Sequence, residues 1–225
     1  MVWMTHDHAR RENGVQIGHR GLLLSWDHVM TDDPDFGALI ASRICHDLIS
    51  PLSAIGNGVE LLAMSTPPGP ELSLISESVE SALARIRFFR LAFGAASSEH
   101  PVGRGEIVSL LDALSRGGRL RFDWEVSEEL TRDRVKLVLL LAACLEAALP
   151  HGGRIVIDGA AGRLQLRGHG PRLRIEKEAW SRLHGETGPA LMPSAAQFAV
   201  AAEMLRDAAR PVSIEMGEHE IAIRL

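Results

Sequence analysis

Two residues combine a type and a spacing that could do chemistry: His46 and Asp47, within Arg43-Ile-Cys-His-Asp-Leu-Ile-Ser-Pro-Leu52. Apolar residues recur around them at Ile44, Leu48, Leu52, Ile55, Val59 and Leu62, in the alternating steps of three and four that mark one buried helical stripe. His46 stands two positions from both Ile44 and Leu48, so it is predicted to face away from the stripe. Ser42, Arg43, Ser50, Ser53 and Asn57 are predicted on its side of the helix. A neutral imidazole held out on a rigid helix can attack a phosphoryl group that another protein brings to it. Asp47 could hydrogen-bond one ring nitrogen, which fixes the tautomer in which the other nitrogen attacks. Pro51 has no N–H to give the Asp47 carbonyl, so a bend is predicted just after the site.

The elements that must position this histidine are helical. Met30-Thr-Asp-Asp-Pro34 is a helix-start signal, with Met30 as a candidate start, and a first helix is predicted over Pro34 to Met64. Ser65-Thr-Pro-Pro-Gly-Pro70 is a turn. A second helix follows with Leu72, Ile75, Val79, Leu83, Ile86, Phe89 and Phe93 on one face. So short a connection makes the two helices antiparallel, and their uncovered faces predict pairing with a second copy into a four-helix bundle. That bundle would use Ile44, Leu48, Ile55 and Leu62 with Ile75, Val79 and Ile86. Residues 1–33 show no sustained period and are read as an N-terminal extension without stable structure. Their histidines, His6, His8, His19 and His28, have no carboxylate or cysteine framework that would make a metal site.

Residues 34–94 form the hairpin segment and residues 95–105, rich in Gly, Ala, Ser and Pro, a linker. From residue 106 to 225 helices and strands alternate. Helices are predicted at Glu106–Ser115, Thr131–Leu149, Glu176–Leu183 and Ser194–Ala209. Strands are predicted at Arg119–Val126, Arg154–Asp158, Arg163–Arg167, Val212–Met216 and His219–Leu225. The expected class is α+β: a helical hairpin followed by an α/β sandwich with helices on one side of a mixed sheet.

Bulk properties narrow the function classes. The 225 residues carry a net charge of -5, which gives no support to a nucleic-acid surface. Cys45 and Cys144 are the two cysteines, each inside an apolar helical run, and provide neither a disulfide framework nor zinc spacing. No apolar run is read as reaching a membrane span; the longest, Val138–Leu149, is interrupted by Glu146. With no secretory signal pattern either, a cytoplasmic protein is expected.

His46-Asp-Leu-Ile-Ser-Pro-Leu52 resembles the H-box of sensor histidine kinases, and the order of elements after residue 106 resembles their ATP-binding domain. The closer resemblance, through Arg43 to Leu52 and Gly56-Asn-Gly-Val-Glu-Leu-Leu62, is to the alphaproteobacterial ChpT-type histidine phosphotransferases. It covers residues 36–225 and is specific in the first helix. It implies a homodimer that relays a phosphoryl group through His46, assisted by Asp47, between the receiver domain of a hybrid kinase and those of response regulators. Arg43, Ser50 and Ser53 are the expected partner-binding residues. This chain would bind no metal or cofactor, the Mg²⁺ belonging to the partner receiver.

The second domain argues independently against ATP. A Mg-ATP site in that fold needs a helical asparagine, but the asparagines of this chain are Asn13 and Asn57. Where an Asp-x-Gly-x-Gly box would stand the sequence reads Gly168-His-Gly-Pro-Arg172. The sequence also admits two alternatives: an ATP-dependent histidine kinase with a divergent nucleotide site, and a non-catalytic dimeric adaptor that docks receivers.

Overall fold

Helices α1 (Pro34–Ser65) and α2 (Pro70–Phe93) run back along each other in a computed structural model of the chain. The description covers residues 34–65, 69–95, 102–116, 118–160, 162–209 and 211–225. The expectations for residues 1–33, including the four histidines there, lie outside it. Two contacts fix the antiparallel register: the Ser42 hydroxyl accepts the Ala95 N–H at 3.1 Å, and a Cβ on Gly56 would meet Val79 Cγ1 at 3.5 Å.

The face of α1 that meets α2 takes Leu52 and Val59 from the apolar stripe and leaves its other members on the outside, where the sequence predicts a second copy. Ala38, Cys45 and Val59 are buried, with Ile49, Leu52 and Gly56 half-buried. Ile44, Leu48, Ile55 and Leu62 are instead 53%, 47%, 52% and 55% exposed. Small residues decide this, because Ala38, Cys45 and Gly56 let the second helix approach closely while the rest of the bulky stripe is left outside. The same exposed stripe corrects the membrane expectation. Gly37–Ser65 is long and apolar enough to cross a membrane by length and composition, with mean hydropathy 1.2.

Beyond the hairpin come α3 (Arg104–Arg116), β1 (Leu120–Trp124), α4 (Arg132–Ala148), β2 (Gly153–Ala160) and β3 (Arg163–His169). Then follow α5 (Lys177–Leu183), a 3₁₀ turn (Pro193–Ala195), α6 (Ala196–Asp207), β4 (Ser213–Met216) and β5 (Glu220–Arg224). The sheet order is β1-β2-β3-β5-β4. β1 and β2 are parallel, as a pair joined through a helix must be, and the remaining pairs are antiparallel. Helix α4 is the hub of the core. Leu137 to Ala142, Cys144 and Leu145 are buried because the sheet, α2 and α6 all pack on it.

Hairpin and sandwich share that core. Ala84, Phe88, Leu91 and Ala92 at the end of α2 are buried in one cluster with α3 and α4. Glu146, the charge that interrupts the apolar run of α4, accepts a bidentate pair from Arg85 on α2 at 2.8 and 2.7 Å. Lys136 Nζ donates to the Gly94 carbonyl at 2.9 Å, tying α4 to the end of the hairpin. Within the segment read as a linker, Val102 is buried and bridges to Leu130.

Candidate functional site

The amphipathic run of α1 places His46 on the outside of the hairpin, its side chain 79% exposed. Its Nδ1 lies 3.2 Å from Asp47 Oδ1. The other carboxylate oxygen of Asp47 accepts Arg43 Nε at 2.9 Å, an i,i+4 pair along the helix. Asp47 is therefore held from both sides. Its carboxyl lies below the usual carboxylate range, chiefly through the His46 hydrogen bond and further through the Arg43 charge. With the proton on Nδ1 donated to Asp47, the Nε2 lone pair points to solvent. Pro51 sits inside α1 as the sequence requires, so the Asp47 carbonyl lacks its helical partner at the site.

The other expected residues divide. Ser50 is exposed on the turn after His46, and Ser53 is half-buried. Ser42, predicted beside the histidine, is turned toward α2, where its hydroxyl meets Ala95. Cys45 is buried against α2, and that burial pushes its thiol up, with the Arg90 charge opposing. Sequence reasoning placed Arg43 toward a partner; the structure sets it on Asp47, and the Arg-x-x-x-Asp spacing was the signal for it.

The residues that would hold Mg-ATP in the sandwich are replaced. The helix that would offer an asparagine to a metal is α4, and its residues there are buried leucines, alanines and Cys144. The glycines of Gly168-His-Gly170 lie against that helix. A Cβ on Gly170 would come within 2.5 Å of Leu149 Cδ2 and 2.9 Å of the Gly152 carbonyl, and one on Gly168 within 3.1 Å of Leu145 Cδ2. These glycines permit close packing of strand on helix rather than a phosphate cradle. Among the described residues no three His, Cys, Asp or Glu side chains gather as a metal site.

A hairpin displaying an exposed imidazole, fused to a mixed sheet packed by helices, is the class that fold and site define. Residues 104–220, just over half of the chain, match the histidine phosphotransferase C-terminal domain family. The chain belongs to that family. It is 38% identical over 125 residues to the protein phosphotransferase ChpT of Brucella abortus (strain 2308), a match covering 55% of this chain and 60% of that protein. It is also similar to the 1.7 Å structure of a bacterial phosphotransferase, with TM-score 0.62 and 27% identity over 84% of this chain and 95% of the other.

Proposed function

We propose that this chain is a histidine phosphotransferase that passes a phosphoryl group through His46 between receiver domains. The observation that carries the reading is the exposed His46 with Nδ1 on Asp47 and Nε2 free. In the forward step the Nε2 lone pair forms an N–P bond as the P–O bond to the receiver aspartate breaks. The aspartate leaves as a carboxylate, and the Nδ1 proton stays on the ring. Asp47 offsets the positive charge the ring then carries. Transfer to a second receiver is the same exchange reversed. The Mg²⁺ that neutralises the phosphoryl oxygens belongs to the receiver, and this chain supplies nucleophile and orientation. The replacement of the residues a Mg-ATP site needs supports relay over autokinase activity.

The working form is a homodimer in the cytoplasm. The support is the row Ile44, Leu48, Ile55 and Leu62 on α1 with Leu74 and Ile75 on α2, all exposed in the single chain. A second hairpin laid on that row makes a four-helix bundle and removes the apolar surface from water. It also accounts for the apolarity of α1 without a bilayer. Ser50 and Ser53 give an incoming receiver room beside the histidine, and Arg43 holds Asp47 in place while presenting its remaining N–H groups. Incubating the dimer with a receiver carrying radiolabelled aspartyl phosphate tests the reading, which expects acid-labile label on His46.

A further inference from the structure

Between the hairpin and the sandwich lies a cleft of about 310 Å³ whose walls are basic. Arg87 and Arg90 enter it from α2, and Arg116 from α3, with Ser109 and one carboxylate, Glu106, on the same face of α3. None of the three guanidiniums makes an ion pair with a carboxylate among the described residues. The contrast with neighbouring arginines is sharp, since Arg85 is held by Glu146 and Arg43 by Asp47. The cleft thus gathers three arginines against a single acid in a chain of net charge -5. Like charges gathered this way cost folding stability unless an anion is brought to them.

The cleft also stands at the height of the histidine. Interpolating between the Ser42–Ala95 and Gly56–Val79 contacts sets Arg90 level with Cys45 and His46. The Arg90 charge is close enough to Cys45 to favour its thiolate. A protein domain that brings its phosphoryl group to His46 has a footprint of about 800 Å², wide enough to cross the top of α2 and reach this cleft. Such a domain carries its phosphoaspartate among carboxylates that hold a metal, so the approaching surface is acidic.

We infer that the Arg87–Arg90–Arg116 cleft is a docking site for the acidic surface of the receiver that delivers phosphate to His46. The inference rests on the phosphotransfer reading and adds where the partner is held. Guanidiniums suit the task, because they remain charged and grip carboxylates in a planar fork. Charges at such a rim act chiefly on encounter and on salt dependence, leaving the chemistry at the histidine unchanged.

The experiment uses the full chain and a purified receiver domain phosphorylated with radiolabelled acetyl phosphate. The double variant Arg87→Glu/Arg90→Glu and the single variant Arg116→Glu should each raise KM about tenfold at low salt with kcat unchanged. Their salt dependence should be flatter than wild type. Thermal unfolding should be unchanged or shifted upward, since each reversal relieves repulsion. A wild-type KM and salt dependence in these variants overturn the inference. Should a reversal disturb folding, Arg87→Gln/Arg90→Gln takes its place, and a wild-type KM there counts equally against it. Calorimetry with the unphosphorylated receiver separates the two claims. If binding weakens in the variants although wild type never labels His46, the docking site stands and the relay reading fails. If His46 labels normally and binding ignores all three arginines, the docking site alone fails. Wild type that neither labels nor binds overturns both.

Discussion

At the scale of single residues, one carboxylate ties the nucleophile to a cation. Asp47 shares its two oxygens between the His46 ring and the Arg43 guanidinium, and its carboxyl titrates below the ordinary range, mostly because of the histidine. A depressed carboxylate is ionised throughout the neutral range. Any stability it adds is present above its unfolded pKa and disappears as the pH falls through the folded one. Removing the largest cause should move the midpoint back, so His46→Ala should raise the Asp47 pKa, and Arg43→Met should raise it by less. Side-chain carboxyl NMR titration reads both shifts; a midpoint unmoved in His46→Ala would mean that the hydrogen bond does not form in solution. Asp47→Asn keeps the nucleophile and loses the anion that orients its tautomer. It should slow transfer by about 10²-fold without abolishing it, and single-turnover kinetics at wild-type rate would show that Asp47 has no part in orienting the ring.

At the scale of elements, the join between hairpin and sandwich is the feature open to attack. Arg85 and Glu146 form a bidentate pair at a half-buried seam, with Arg85 also 5.8 Å from the Phe88 ring centroid. Glu146→Gln should cost about 1 to 3 kcal/mol, the range for a hydrogen-bonded charge losing its partner, and denaturant titration measures it. No change in midpoint would show that the seam is held by Phe88, Leu91 and Ala92 alone. Gly170→Ala should also destabilise, by about 1 to 3 kcal/mol of overpacking against Leu149 and the Gly152 carbonyl. Much of this architecture was legible in the chain. The alternating runs at Arg154–Asp158 and Arg163–Arg167 became the β2–β3 ladder, and the long apolar run from Thr131 became α4. The periodicity of α1 gave the outward position of His46 but not which apolar face meets α2. That choice depends on close approach at Ala38, Cys45 and Gly56, and hydrophobicity alone favours the bulkier stripe. Glu146 read as an interruption because its partner Arg85 lies in a different segment, and such a pairing has no local signature.

At the scale of the whole molecule, Pro34–Leu225 is one compact unit, and its exposed apolar row is the reason to expect a dimer. Ile55 is the cleaner probe of that dimer, being 52% exposed in the single chain, whereas Val79 already packs on Gly56 within the hairpin. Ile55→Asp should weaken the dimer by several kcal/mol, about 3 to 5 for an uncompensated buried charge, and leave the monomer folded. Sedimentation equilibrium checks this. A wild-type protein that stays monomeric at micromolar concentration would remove the bundle from the account and leave the apolar row of α1 without an occupant.

Phosphoryl transfer stands or falls with His46 itself. The most direct measurement incubates wild type and His46→Ala with a receiver carrying radiolabelled aspartyl phosphate and follows acid-labile, base-stable label on the chain. Because His46 faces solvent, its truncation should change stability by about 0.5 kcal/mol or less, so a loss of label reports chemistry rather than unfolding. Wild type should label rapidly, with the label mapped to His46, and His46→Ala should not label. Label appearing on His46→Ala at the wild-type rate would contradict this.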